Sequence, residues 1–201
     1  MFLETLARRA FTVPDRKPRN PDIIVPLGYG CNHDALARAT TEAMQVAIEQ
    51  LAFYPRACVA FGNSSHCYSG SELFEAKKKL LMLERAGIRS ARIINAGAIT
   101  NTVMEARAIK AEILRHPELK LSEVLLIAEH FHAYFGADAV WKKTFPGVVI
   151  SLKKIATPAY QKDHVFPAQQ TFRGWLMAGV KRRAALKIMG IDWVGKFKHK
   201  S

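Results

Sequence analysis

Long apolar runs are missing from this chain. The longest, such as VLLIA at 124–128, fall far short of the roughly 20 residues a membrane-spanning helix needs, so no transmembrane segment is expected. The opening MFLETLARRAF is too short and charged too early for a secretory signal. Cysteine is scarce: Cys31, Cys58 and Cys67 form no CxxC pair and read as free thiols in a reducing, cytoplasmic setting. Acids are few as well, 17 Asp and Glu against 30 Lys and Arg, for a formal charge of +13. Several motifs are absent. GxGxxG would need glycine where His33 stands, no P-loop lysine appears, and GxSxG, HExxH and HxxEH are all lacking. No internal repeat is visible.

What remains is a chain of 201 residues, about half of them apolar, enough for one well-filled core. Phe2, Leu3, Leu6, Ala7 and Ala10 share one side of a short amphipathic helix, which packs on the domain or serves as a membrane or partner foot. TVPDRKPRNP at 12–21 carries three prolines and no apolar period, as a linker or edge segment does. Five apolar segments follow, at 23–28, 57–61, 91–95, 124–128 and 148–152. Helical spacing separates them over 32–52, 71–86, 103–115 and 137–143. Strands apolar at every position, each followed by a helix, predict an α/β three-layer sandwich with a mostly parallel, Rossmann-like sheet of about five strands. The expected divisions are 1–21, the α/β ligand-binding domain 22–155, and a basic, mostly helical extension 156–201. Residues 181–201 hold seven bases and one acid, nearly half of the net charge. Such a tail suits nucleic acid, an anionic surface or an acidic partner, or is simply solvated.

In sheets of this kind ligands sit beyond the carboxyl ends of the strands, so the polar loops at 28–34, 62–70, 96–101 and 129–134 are expected on one rim. In GYGCNHDALARA, Gly28 and Gly30 let backbone approach a ligand, and Arg38 can neutralise an anion. In GNSSHCYSGSE, Asn63, Ser64 and Ser71 offer small polar groups. Ser69 and Glu72 have capping-box spacing, with Glu72 as a second-role proton carrier. Thr102 and Glu105 repeat that spacing after Asn101. Glu129, His130 and His132 end the fourth strand; His132 suits ligand contact or acid–base work, and the HxH spacing binds zinc only if His66, His33 or Glu72 supplies a third ligand across the rim, so no metal is expected. Cys67 beside His66 is a weak nucleophile pattern, since adjacent side chains point apart.

In order and spacing these loops resemble the ElyC/SanA/YdcF family over roughly residues 22–152. The resemblance rests on GYG with Arg38, the Ser71-Glu72 pair, Asn101-Thr102 with Glu105, and His132. It implies a ligand site on an α/β domain. Family members are linked to envelope biogenesis and, in one branch, to S-adenosylmethionine binding. The chain departs from the pattern at Phe61-Gly62 (usually a glycine pair), at Ala106 (usually asparagine) and at Phe135 (usually arginine). It also lacks the membrane segments of the envelope-linked branches. The leading expectation is a small anionic or nucleotide-like ligand handled by Arg38, Ser71, Glu72, Asn101, Thr102, Glu105 and His132. The cofactor and reaction are unknown. A non-enzymatic nucleic-acid-associated subunit is the rival, with Phe172, Trp175, Trp193 and Phe197 among the bases of the C-terminal end. A peripheral membrane protein is the third reading.

Overall fold

Segments apolar at every position have no face to give to water and must be covered on both sides. The computed structural model of the chain, which describes residues 2–190, has this arrangement. After α1 (Phe2–Ala10), the strands β1 (Ile23–Pro26), β2 (Cys58–Ser64), β3 (Ile93–Ile99), β4 (Glu123–Glu129) and β5 (Val149–Ile155) build one five-stranded sheet. Its order is β3-β2-β1-β4-β5, and every pair is parallel. The connections are α2 (Arg38–Phe53), α3 (Ser71–Arg85), α4 (Thr102–Leu114) and the run α5 (His130–His132), a π-helical turn at Ala133–Ala137 and α6 (Asp138–Thr144). α2 packs beside α3 and α4 beside α6, so right-handed crossovers place the two pairs on opposite faces. Every residue of β1, β2 and β4 is buried.

The strands β2 to β5 outrun their apolar segments, whereas β1 stops at Pro26. β2 continues through Gly62, Asn63 and Ser64, and β3 through Gly97 to Ile99, with a register shift between Phe61 and Asn63. Side-chain pairing supports the extra length: Asn63 Nδ2 donates to Asn95 Oδ1 at 2.7 Å across the two strands. α2 begins at Arg38 rather than near Asn32, because the preceding segment is spent on other bonds. Ala37 N–H and the Thr40 hydroxyl both donate to Gly30 C=O, at 3.1 Å each, and Cys31 bridges to Leu36.

The proline-rich segment acts as an edge. Arg16 exchanges both backbone hydrogen bonds with Leu152 of β5 (2.9 and 3.1 Å), covering that strand's outer side. At the other end of the chain, residues 156–171 are irregular apart from a 3-10 turn at Pro167–Gln169, and α7 (Phe172–Ile188) is the one helix described beyond them. Of the basic C-terminal run, residues 181–190 are described; 191–201, with Trp193 and Phe197, lie outside the described residues. No described helix is long and apolar enough to cross a membrane.

Candidate functional site

The strand order reverses between β1 and β4, and at such a point the loops diverge and leave a crevice above the sheet. Here the crevice is a pocket of about 100 Å³. All four rim loops reach it. Gly28 and Tyr29 come from the first, Ser64 and His66 from the second, Thr100 and Asn101 from the third, and His132 from the fourth. Thr102 and Glu105 line it from α4, and Gln169, Trp175 and Arg182 from the C-terminal segment.

The β2 side is built on an unusual helix. The inward face of α3 is Ser71, Glu75, Lys79 and Leu83, one residue per turn and mostly polar, while Leu73 stands 72% exposed. Each of the three inward polar groups has a partner at the end of β2. Ser71 Oγ donates to Ser64 C=O (2.6 Å), Ser64 N–H donates to Glu75 Oε2 (2.6 Å), and Lys79 Nζ donates to Gly62 C=O (2.6 Å). Glu75 and Lys79 form a sealed ion pair at 2.7 Å. Gly28 is glycine for a visible reason: a Cβ there would stand 3.0 Å from Glu75 Oε1 and 3.3 Å from Lys79 Nζ. Glu105 lies beside this pair, with Gly62 N–H donating to its Oε1 at 3.4 Å. Burial pushes its carboxyl up to about 7; Lys79 and the Gly62 and Gly28 amides pull the other way.

The β4 side carries a second buried carboxylate. Glu129 Oε2 accepts from Phe131 N–H (2.9 Å), His132 N–H (3.0 Å) and Trp175 Nε1 (3.3 Å). Arg8 of α1 approaches Oε1 at 3.8 Å. Burial still raises the Glu129 pKa above the ordinary carboxylate range. Glu129 thus caps the turn that presents His132. That imidazole is 5% exposed, and its Nε2 lies 2.8 Å from Thr102 Oγ1. Burial, then Arg182, holds its pKa well below the usual histidine value, so it is neutral. Its Nδ1 is buried without a hydrogen-bond partner, and so is Arg182 Nη1. The Arg182 guanidinium lies over the Trp175 ring, 5.2 Å from its centroid.

α7 brings Arg182 in through close packing. A Cβ on Gly179 would stand 2.5 Å from the Phe135 ring, and one on Gly136 (φ 147°) would stand 2.3 Å from Leu186 Cδ1. Phe135 is therefore part of the seat for the helix that carries Arg182.

The expected residues divide. Gly28, Ser64, Asn101, Thr102, Glu105 and His132 line the pocket. Asn63 and Ser71 sit behind it in structural bonds, to Asn95 and to Ser64 C=O. Gly30 packs against Cys67. Arg38 lines a separate cavity of about 360 Å³ with Tyr160 and Gln161. Glu72 is half-buried and is not among the pocket-lining residues. Neither expected capping box forms. Gly70, in the left-handed conformation, precedes α3 with no side-chain cap, and Asn101 caps α4 by accepting Met104 N–H at 3.0 Å. With Asn101 in that role, Thr102 bonds His132 and Glu105 turns to the pocket side. Tyr29, Gln169, Trp175 and Arg182 were missed, and so was the Glu75–Lys79 pair behind them. The four-residue spacing of Ser71, Glu75, Lys79 and Leu83 puts them on one face, but spacing alone does not say that this face is the buried one. Arg182, inside the run KRR, gives no signal.

Among the described residues no group of three or more His, Cys, Asp or Glu side chains is arranged to hold a metal ion. No protein-family model, curated protein or solved structure matches the chain.

Proposed function

We propose that the rim pocket binds a small anionic ligand, or the oxyanion head of a nucleotide-like one, and that Glu105 and His132 move protons there. The observation that carries this reading is a pair of unsatisfied nitrogens. Arg182 Nη1 and His132 Nδ1 belong to residues lining one small cavity, and neither has a hydrogen-bond partner. Buried polar groups are almost always paired, so these two nitrogens, with Gln169 Oε1 as a third orphan at the same cavity, argue for an absent polar ligand whose oxygens accept from Arg182 and whose hydroxyl can donate to Gln169. The volume of about 100 Å³ suits one carboxylate or phosphoryl group, leaving any larger remainder outside. A carboxyl titrating near 7 exchanges protons readily at neutral pH. If the Thr102 hydroxyl donates to His132 Nε2, Nδ1 carries the proton and is a donor to the anion. In the other tautomer Nδ1 is a base.

The same loops support a place beside the ElyC/SanA/YdcF family, with Arg182 standing in for the arginine that Phe135 replaces. The nucleic-acid rival has less support than its sequence suggests. Trp175, one of its stacking candidates, is 3% exposed and hydrogen-bonded to Glu129.

The test is calorimetric titration of the full chain with inorganic phosphate and with a nucleoside monophosphate. Arg182→Gln should weaken binding by about tenfold to a hundredfold, the worth of a charge-assisted hydrogen bond. Arg38→Gln should leave it unchanged. Equal affinity in wild type and Arg182→Gln, or no binding of either probe, overturns the reading.

A further inference from the structure

The first and second rim loops meet at two thiols that the pocket does not use. Gly30 has φ 80°, and a Cβ built on it would stand 2.5 Å from Cys67 Sγ. The Cys67 sulfur therefore rests on the backbone one residue before Cys31. The two thiols are close enough that each shifts the acidity of the other. Cys31 is sealed from solvent, with Tyr68 OH at 3.8 Å and Ser71 C=O at 3.7 Å from its sulfur. Cys67 is half-buried and is the member a small reagent can reach. Sharing one proton between two sulfurs separates their acidities: the contact lowers the Cys67 pKa and raises that of Cys31. Cys58 opens β2, at the opposite end of the sheet from these loops, and burial raises its pKa.

We propose that Cys67 and Cys31 form an oxidisable dithiol, with Cys67 attacked first by a peroxide and Cys31 closing a disulfide between the GYG loop and the β2–α3 loop. The Cys67 thiolate attacks one oxygen of hydrogen peroxide, the O–O bond breaks, and the released hydroxide takes a proton to leave as water. Cys67 is then a sulfenic acid. The Cys31 sulfur attacks the Cys67 sulfur and the S–O bond breaks. The departing hydroxide takes the Cys31 proton as a second water. In sum, two thiols lose two hydrogens and one peroxide yields two waters. A dithiol reductant reverses the change.

The test treats the folded full chain with hydrogen peroxide and maps peptides by mass spectrometry without reduction. Expected are a Cys31–Cys67 linked peptide, its loss on adding dithiothreitol, and an unmodified Cys58. Cys67→Ser should abolish sulfenic-acid trapping by dimedone. Cys31→Ser, with no resolving thiol, should raise trapping at Cys67 severalfold. The wild-type mapping needs no variant to fold. Absence of the linked peptide, or oxidation of Cys58 as fast as Cys67, rejects the proposal.

Discussion

Lys79 Nζ stands 2.7 Å from Glu75 Oε1, and neither side chain has any contact with solvent. Two such charges survive burial only because each satisfies the other and both satisfy the end of β2. Lys79→Met should therefore cost about 3–5 kcal/mol, since it leaves the Glu75 carboxylate buried without its counter-charge. The double change Glu75→Leu with Lys79→Met should cost less than the single one, as measured by urea denaturation. An equal or larger loss in the double variant would show that the bonds to Ser64 N–H and Gly62 C=O, not the ion pair, hold the strand end.

Glu105 gives a pH signature. Its folded-state pKa is raised from 4.5 to about 7, so the native state holds a proton that the unfolded chain releases. Its contribution to stability is fully present below pH 4.5 and is lost as pH rises toward 7, a change of roughly 3 kcal/mol at most. His132 works in the opposite sense. Its depressed pKa costs stability as pH falls below the ordinary histidine value. The two slopes overlap, so the useful quantity is the wild-type profile minus that of Glu105→Gln. That difference should slope between pH 4.5 and 7 and be flat above; a flat difference throughout would mean Glu105 titrates as an ordinary carboxyl.

The layered sheet was legible because its central strands are buried on both faces and so are written in apolar residues without interruption. Their ends were not legible. Gly62, Asn63 and Ser64 read as loop, yet they stay in the ladder because Asn63 finds Asn95 and because Ser64 is held by Glu75. The rim was readable through four loops of similar make, whereas the pocket's closing groups were not. Arg182 lies about 50 residues after His132 in a run of bases, and what turns it inward is packing between Gly179 and Phe135, which no local pattern encodes. Glu75 and Lys79 resemble any surface pair four apart on a helix until the burial of Ser71 and Leu83 on the same face is known.

Caps offer a discriminating pair of substitutions. Asn101→Ala removes the acceptor for Met104 N–H and should cost about 1 kcal/mol. Ser69→Ala should cost close to nothing, since no side chain caps α3. Thermal denaturation of both variants decides between this arrangement and the capping boxes that the sequence spacing suggests.

Gly179→Ala sets local preference against packing. In an isolated helix the change is favourable by roughly 1 kcal/mol. Here the new methyl would meet the Phe135 ring at 2.5 Å, so the protein should lose stability instead. Phosphate affinity should fall with it, because α7 carries Arg182. A gain in melting temperature with unchanged affinity would show α7 docking elsewhere.

Glu129 is approached by Arg8 from α1 and by Trp175 from α7. Two helices far apart in the sequence are thus fastened at a single carboxylate that lies between them in the chain. A ribosome that has released only the first 155 residues has made every strand of the sheet, but that carboxylate is still missing one of its donors. The pocket is therefore completed only after the sheet, when α7 arrives.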